Sequence, residues 1–299
     1  MSTAVVTVED GRPPAGGEAA LCRALEAGDI LLFARSPFEL PAEDRQFLLA
    51  QRQTDARYHK NIAYRPRQDR VTGVARQFPE DAERLRRVLR EYSRRAVAFA
   101  AGLFPTYARR WRIDYASFRP QEEAGRQLSL RARNDLVHVD AFPTRPSRGD
   151  RLLRVFTNIN PTAPRVWLTG GTFDELAARF AISSGLLDRA RRDGLGRRAR
   201  RLARRLGLPV TVRPPYDEFM LSFHHFLKEN RAYQQDEPKT RLEFPPGATW
   251  IVFTDMVSHA VLSGQYALEQ TFIVARESLA LPDQAPIAVL ERLAGARLA

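Results

Sequence analysis

The stretch NDLVHVDAFPTRP, residues 134–146, places a histidine and a carboxylate two positions apart within an apparent β-strand. In an extended chain, residues i and i+2 point to the same face, about 6.5–7 Å apart along the strand. His138 and Asp140 can therefore bind one metal ion from one side, or they can be two solvated polar residues on an exposed sheet. A third ligand on a neighbouring strand would favour the metal site.

His259 qualifies as that third ligand. It ends the stretch FPPGATWIVFTDMVSH, residues 244–259, in which a Pro-Pro-Gly turn leads into an apolar strand. Two histidines and one carboxylate on one face, with open positions beside them, form the facial triad of non-haem iron(II) oxygenases. His224 and His225 are rivals for the third position, but FHHFLKEN favours a helix, on which adjacent residues do not share a face.

Composition leaves the partner open. The chain has 299 residues, 44% of them hydrophobic, and a formal net charge of +12 that arginine carries almost wholly. Such a charge predicts an anionic partner, or else reflects a genome rich in arginine codons. No apolar run approaches the ~20 residues needed to span a bilayer, and no signal peptide is recognised at the N-terminus. Cys22 is the single cysteine, which excludes an internal disulfide and a cysteine-based zinc site and favours a cytoplasmic protein.

The pattern along the chain predicts a mainly β fold with flanking helices. Apolar residues recur every three or four positions over 79–104, which indicates a long helix. Short β-branched and aromatic runs, punctuated by Pro and Gly, begin near 112. Because strands and helices do not alternate regularly, we expect an antiparallel barrel or sandwich. We predict a flexible N-terminal tail at 1–20, a single domain at 21–285 and a C-terminal tail at 286–299. Within the domain, the β core spans about 112–280 and contains a helical insert at about 173–206.

An oxygenase that uses 2-oxoglutarate also needs a basic residue for the distal carboxylate of this cosubstrate. RVFTNIN, residues 154–160, supplies Arg154 in a setting of apolar neighbours. If this segment is a strand, Arg154 and Asn158 point to the same face. The alternative is an edge-strand arginine in water, as most arginines are. We predict Arg154 as the carboxylate anchor and Asn158 as a polar partner beside it.

Four segments together resemble the bacterial Kdo 3-hydroxylases, which modify the 3-deoxy-D-manno-oct-2-ulosonic acid (Kdo) of the lipopolysaccharide inner core. They are HVDAFPTRP, RVFTNINPTAPRVWLTGGTF, FHHFLKEN and FPPGATWIVFTDMVSHAVLSGQYALEQTF, with a looser likeness at RQTDARYHKNIAYRP. The resemblance covers most of 40–280 and implies a double-stranded β-helix core. It also implies iron(II) on His138, Asp140 and His259, and the use of 2-oxoglutarate and O2 with release of succinate and CO2.

The resemblance further implies a Kdo-bearing lipid A substrate that carries phosphates and sugar carboxylates, hydroxylated at C3. Arg119 and Arg165 are predicted to bind the sugar acid as carboxylate forks, and Trp167 to offer a flat platform to a sugar face. The alternatives are that Arg119 is only a cation in a loop and that Trp167 is a core residue. One departure concerns Glu269, which stands where many members of the superfamily carry their cosubstrate arginine, so Arg154 is the better anchor.

Other interpretations stay open. A related oxygenase could act on a protein side chain or a small metabolite, and a nucleic-acid-binding domain would use the charge but not the histidines. The segment DRARRDGLGRRARRLARRLG, residues 188–207, predicts a basic amphipathic helix. Its leucines, Leu202 and Leu206, would face the protein or the lipid boundary. Its arginines would meet anionic head groups at the inner face of the membrane: Arg198, Arg201 and Arg205.

Overall fold

The computed structural model describes residues 3–9, 16–51, 61–74, 80–191, 202, 205–206, 208 and 213–299. The strands are β1 Val5–Thr7, β2 Ile30–Phe33, β3 Ile62–Arg65, β4 Arg70–Thr72, β5 Arg112–Arg119, β6 Arg151–Asn158, β7 Arg165–Thr172, β8 Thr240–Phe244, β9 Thr249–Phe253, β10 Val257–Ser263 and β11 Ala267–Val274. The α-helices are α1 Gly17–Ala27, α2 Ala42–Leu49, α3 Asp81–Leu103, α4 Pro105–Ala108, α5 Phe173–Phe180, α6 Leu186–Arg191, α7 Pro215–Glu229, α8 Arg231–Asp236 and α9 Pro286–Ala294. Short 3-10 helices lie at Pro66–Gln68, Leu130–Ala132, Arg276–Ser278 and Pro282–Gln284.

The strands form two sheets that pack face to face. The large sheet has the order β1-β2-β9-β6-β11-β5-β3-β4, and the small sheet has the order β10-β7-β8. Aromatic residues of both sheets meet between them: the ring of Phe156 on β6 lies 5.1 Å from that of Trp167 on β7 and 5.2 Å from that of Trp250 on β9. This arrangement confirms the predicted mainly β fold with a double-stranded β-helix core.

The long helix α3 covers the outer face of the large sheet. Its buried residues Leu85, Leu89 and Tyr92 recur at three and four positions and pack against Phe118 of β5 and Leu268 of β11. Strands β6 and β11 are consequently covered on both faces, and every residue of both is buried. The helix predicted over 79–104 is confirmed from Asp81 to Leu103.

The segment with the His-x-Asp motif lies beside β10 at the edge of the small sheet. The His138 amide donates to the His259 carbonyl at 3.0 Å, and the His259 amide donates to the His138 carbonyl at 2.8 Å. This reciprocal pair makes the two histidines directly opposed residues of an antiparallel bridge. The sheet backbone therefore fixes which two imidazoles meet.

Both predicted tails contain ordered elements. In the N-terminal segment, β1 pairs in parallel with β2 from Val5↔Ile30 onward, so part of 1–20 joins the large sheet. In the C-terminal segment, α9 buries Ile287 and Leu290 against the main core. Short amphipathic elements at the ends of a chain gain their stability from packing, which a local pattern does not reveal.

Two helices, α5 and α6, lie in the segment predicted as a helical insert. Helix α5 begins at a capping box in which Thr172 and Glu175 satisfy each other's backbone groups, and it buries Phe173 and Leu176. Helix α6 follows. Most of the arginine-rich segment after it, including Arg198 and Arg201, lies outside the described residues. Among the described helices, none is long and apolar enough to cross a bilayer.

Candidate active site

His138, Asp140 and His259 converge on one point at the edge of the small sheet. His138 Nε2 lies 3.6 Å from Asp140 Oδ1, and His259 Nε2 lies 3.8 Å from Asp140 Oδ2. The two imidazole rings are 5.0 Å apart between centres. The Asp140 amide donates to the Thr254 carbonyl at 2.8 Å, which ties the carboxylate to the end of β9. The structure thus brings together the three side chains that the sequence predicts as metal ligands.

Hydrogen bonds orient both imidazoles. His138 Nδ1 lies 2.6 Å from the Leu136 carbonyl, and His259 Nδ1 lies 2.9 Å from the Val257 carbonyl. Since a carbonyl only accepts, each Nδ1 carries the proton, and each Nε2 offers its lone pair toward Asp140. Burial lowers the pKa of His138 and lowers the pKa of His259 to about 4. Both rings are therefore neutral near pH 7, as metal ligation requires.

The carboxylate of Asp140 is ionised and incompletely satisfied. Burial favours its neutral form, but the Arg154 guanidinium and the neighbouring histidines outweigh this effect, so the pKa of Asp140 lies well below its usual value. Its Oδ2 is buried without a hydrogen-bond partner among the described residues. An unsatisfied buried carboxylate oxygen that faces two imidazole nitrogens fits a divalent cation, which supplies the missing partner. The donor set of two nitrogens and one oxygen suits iron(II).

His224 also reaches this site. It lies on α7, its Nδ1 is 2.7 Å from the Val139 carbonyl, and its ring is 4.6 Å from that of His138. His138, Asp140 and His224 each offer an atom within 4.8 Å of the others. Because His259 is fixed opposite His138 by the sheet and approaches Oδ2 of Asp140, we favour His259 as the third ligand. His225 lies on another face of α7, beside Glu218 and Glu229.

Beside the candidate metal ligands lies a set of buried ion pairs, which we call the arginine cluster. Arg154 Nη1 is 3.3 Å from Asp140 Oδ2 and 3.2 Å from Glu269 Oε1. Glu269 Oε2 in turn lies 2.7 Å from Arg119 Nη2. Beyond Arg119, a second buried carboxylate, Glu123, continues the chain of charges. The arginine cluster has six members: Arg119, Glu123, Arg126, Arg154, Arg165 and Glu269.

Arg165 is the least compensated member of the arginine cluster. Its nearest carboxylate oxygen, Glu123 Oε1, is 3.7 Å away, its Nη1 donates to the Gly264 carbonyl at 2.9 Å, and its Nε is buried without a partner among the described residues. Burial, aided by the nearby positive charge of Arg119, lowers the pKa of Arg165 to about 10. A guanidinium in this state has donors and charge available for an anion.

Two predicted residues have other surroundings. Trp167 is 1% exposed, and its ring stacks on that of His259 at 4.9 Å, while Phe156, Phe244 and Trp250 surround it. The ring predicted as a platform for a sugar is thus buried, and Trp167 packs on the ring of His259 instead. This burial agrees with the alternative that Trp167 is a core residue.

Asn158 is directed at a loop. Its Nδ2 lies within hydrogen-bond distance of the carbonyls of Ala163, Phe244 and Pro245, and its Oδ1 accepts from the Asn160 amide. The amide that was predicted to contact the cosubstrate is occupied by backbone groups. We therefore leave Asn158 out of the site.

Sequence reasoning missed the acidic half of the arginine cluster and the position of His224. The sequence shows Glu269 only as a residue that differs from the usual cosubstrate arginine of the superfamily. In the sheet, Glu269 on β11 lies opposite Phe156, which is two residues from Arg154 on β6. This register could have indicated the ion pair between Glu269 and Arg154. Glu123 lies in a loop with no local signal. His224 follows from how α7 packs on the sheet, which no spacing within the helix encodes.

Comparisons with known proteins identify the family of this chain. The family model for 3-deoxy-D-manno-oct-2-ulosonic acid (Kdo) hydroxylase matches residues 10–297. A crystal structure of the Kdo hydroxylase KdoO, a non-haem Fe(II) α-ketoglutarate-dependent dioxygenase in complex with α-ketoglutarate and Fe(III), is 34% identical, with a TM-score of 0.83. The match covers 99% of this chain and 97% of that one.

Two further KdoO structures cover the same shares of each chain. The apo form is 35% identical with a TM-score of 0.84, and the succinate and Fe(III) complex is 34% identical with a TM-score of 0.83. A search of curated proteins found no match.

Proposed function

This chain belongs to the Kdo hydroxylase family, and from that premise we propose that it is an Fe(II)- and 2-oxoglutarate-dependent dioxygenase that hydroxylates Kdo. The observation that carries the proposal is the convergence of two imidazole Nε2 atoms on the two oxygens of one buried carboxylate. Support comes from the similarity of the whole chain to KdoO structures with α-ketoglutarate, iron and succinate. A nucleic-acid-binding role would leave this convergence unexplained.

We assign the metal ligands as His138, Asp140 and His259. When bound there, iron(II) supplies the oxidation chemistry that couples the conversion of 2-oxoglutarate and O2 to succinate and CO2 with hydroxylation of a substrate C–H bond. The protein's own contribution is orientation: backbone carbonyls fix the Nδ1 proton of both histidines, and Trp167 packs on His259. Such outer contacts fix the tautomer and hold the ring in place.

The cosubstrate is assigned to the arginine cluster, with Arg154 as anchor. Its four arginines carry four positive charges, and Glu123, Glu269 and the adjacent Asp140 carry three negative charges, so the site has a net charge of +1 before any ligand is bound. A divalent metal raises this to +3. A dicarboxylate then brings the site back to +1, which makes its binding favourable in a buried setting.

Arg119 and Arg165, predicted to bind the sugar acid, are joined to Arg154 through Glu269 and Glu123. Their burial supports contact with a small carboxylate that enters the site, and it leaves two assignments open to experiment. Either these arginines complete the cosubstrate site beside Arg154, or they contact the carboxylate of Kdo. In both cases the planar guanidinium fork provides two parallel donors.

We further propose that the hydroxyl group is added at C3 of a Kdo attached to lipid A. We also propose that the protein makes peripheral contact with an anionic membrane surface. Three leucines near the arginine-rich segment are exposed, with Leu202 58%, Leu206 72% and Leu208 54% accessible. Exposed apolar residues next to basic ones favour the boundary of an anionic bilayer. Arg198 and Arg201, which this contact would use, lie outside the described residues.

The function is tested by reconstituting the purified protein anaerobically with iron(II) and 2-oxoglutarate, then adding O2 and Kdo-lipid A. We expect succinate and one added oxygen atom on the Kdo, found by mass spectrometry of the released sugar, with its position given by NMR. A His259→Ala variant is the matched inactive control. Succinate formation that a protein or a small metabolite stimulates, but Kdo-lipid A does not, would replace the substrate assignment.

A further inference from the structure

A second basic site lies beside the arginine cluster. It is a cleft of about 670 Å³, which we call the basic cleft. Two aspartates, Asp114 and Asp150, also line it. The arginines that line it are Arg65, Arg67, Arg112, Arg145 and Arg148. Five positive and two negative charges give the basic cleft an excess of three positive charges, which is a large excess for one concave surface and predicts an anionic ligand.

The positive charge of the basic cleft is only partly used within the protein. Arg145 pairs with Asp114, and Arg112 lies 3.3 Å from Asp150. Among the described residues, no carboxylate pairs with Arg65, Arg67 or Arg148. Arg65 also has a buried Nε without a partner in the part of the chain that the structure describes.

Aromatic residues hold two of the guanidinium groups in place. The guanidinium carbon of Arg145 is 4.0 Å from the centre of the Tyr115 ring, and that of Arg65 is 5.1 Å from the same centre. Tyr115 thus positions two arginines at the wall of the basic cleft by cation–π contact. A preorganised pair of forks loses less side-chain freedom when it binds an oxyanion than two free surface arginines would.

The basic cleft lies next to the candidate metal site, on the other side of the Phe142 ring. Arg145 lies 4.1 Å from the centre of the Phe142 ring, and Arg154 lies 5.3 Å from that same centre. Phe142 is two residues beyond Asp140 in the chain. Strand β11 contributes to both sites, because Glu269 belongs to the arginine cluster and Ile273 lines the basic cleft. The two residues are four positions apart, which is roughly 13 Å along a strand. Alternate residues share a face, so both sites lie on the inner face of the large sheet.

We propose that the basic cleft binds a phosphate or carboxylate group on a sugar of the substrate glycolipid other than the sugar that is hydroxylated. This inference rests on the proposed function, because it takes the substrate to be an anionic glycolipid with several sugars. The cleft and the metal site would then hold two parts of one molecule. Remote binding of this kind positions the reacting C–H bond.

The test uses a charge-reversed double variant, Arg67→Glu with Arg148→Glu. Both side chains are exposed, and no carboxylate forms an ion pair with either among the described residues. Because the Arg148 amide donates to Asp217, the melting temperature of the double variant checks that the fold is kept. The matched control is Arg94→Glu on α3, whose side chain is 78% exposed. We expect KM for Kdo-lipid A to rise roughly tenfold or more in the double variant and by much less in the control. KM for 2-oxoglutarate should not change.

Substrate arms identify the group that binds. If the cleft reads a phosphate, the difference between the double variant and the control disappears with a dephosphorylated glycolipid. If the cleft binds a carboxylate, the difference in KM persists with the dephosphorylated glycolipid and disappears with an acceptor that carries one Kdo instead of two. Equal KM values for the double variant and the control on every acceptor would overturn the inference.

Direct binding separates this inference from the proposed function. Inorganic pyrophosphate, titrated calorimetrically into the full chain, should bind wild type and Arg94→Glu alike and bind the double variant at least tenfold more weakly. This result does not depend on hydroxylation. If wild type fails to oxidise any Kdo acceptor but pyrophosphate binding follows this pattern, the proposed function falls and the anion site stands. Equal pyrophosphate affinity in all three proteins refutes the anion site.

Discussion

Replacing Arg154 by Met removes the charge that links the metal ligands to the arginine cluster. Arg154 is 8% exposed and lies between Asp140 and Glu269. Methionine fills much of the same volume without a charge or a donor. If Arg154 anchors 2-oxoglutarate, the variant should bind this cosubstrate much more weakly. The variant should not bind a divalent metal more weakly, because a positive charge 3.3 Å from Asp140 opposes cation binding in the wild type.

The size of the effect follows from the contact that is lost. A hydrogen bond to a charged group contributes about 1.5–3 kcal/mol, which corresponds to roughly 10- to 150-fold in affinity. Leaving a carboxylate buried and unpaired costs more, about 3–5 kcal/mol. In this site Arg119 and Arg165 can still supply donors, so we expect the dissociation constant of 2-oxoglutarate to rise by roughly 10- to 150-fold.

The assay is anaerobic calorimetric titration of 2-oxoglutarate into cobalt(II)-loaded protein. Arg154→Lys keeps the charge without the planar fork and should fall between the wild type and Arg154→Met. Arg94→Met, on the exposed face of α3, controls for the loss of one arginine. Unchanged 2-oxoglutarate affinity in Arg154→Met, with cobalt still bound, would refute Arg154 as the anchor and direct attention to Arg165.

Three further predictions follow from the same structure. His259→Ala should weaken cobalt(II) binding by at least roughly 10–100-fold, which is the cost of losing even an outer-shell partner. His224→Ala should keep measurable turnover. Metal titration and succinate release measure both effects, and the reverse order would make His224 the third ligand. Cys22 is buried, and burial raises its pKa to about 11, so the folded protein should react with a thiol reagent at pH 8 more than tenfold slower than the urea-unfolded chain; equal rates would show that the thiol is accessible. Charge reversal of the arginine-rich segment should weaken salt-sensitive binding to anionic vesicles and slow turnover of the intact lipid substrate but not of a deacylated one, and equal losses on both would place the segment in the active site or in the fold. The variant for this last test combines Arg198→Glu, Arg201→Glu and Arg205→Glu.

The sequence predicts the strands that carry the site because their patterns are local. RIDYASFR and RLLRVFTN read as strands from their β-branched and aromatic residues, and both form as β5 and β6. The two-residue spacing of His138 and Asp140 needs only an extended backbone to place both side chains on one face. The apolar strand before His259 is predicted too, but it ends at Phe253 as β9, and His259 lies in the following strand, β10. These inferences require no knowledge of packing between elements.

The parts that sequence reasoning did not reach depend on contacts between distant elements. Arg119 and Glu269 are 150 positions apart and meet because β5 pairs with β11. His224 enters the site because α7 packs across the His-x-Asp segment, so its Nδ1 reaches the Val139 carbonyl. Trp167 is buried by the closure of the two sheets. In each case the deciding interaction is tertiary, and a period of two or 3.6 residues carries no information about it.

The position of the arginines bears on the origin of the high net charge. A bias toward arginine codons would enrich the surface, where an unpaired guanidinium costs little. Here Arg151 is fully buried, and Arg154 and Arg165 are 8% and 1% exposed. Burying such an ion costs several kcal/mol unless paired groups offset it. Arg165 nevertheless keeps an unpartnered Nε, and its pKa is lowered. Arg165 is retained at that cost, pairs with Glu123 at 3.7 Å and is linked to Asp140 through Arg119, Glu269 and Arg154. It is best explained by an anion that completes the site when it binds.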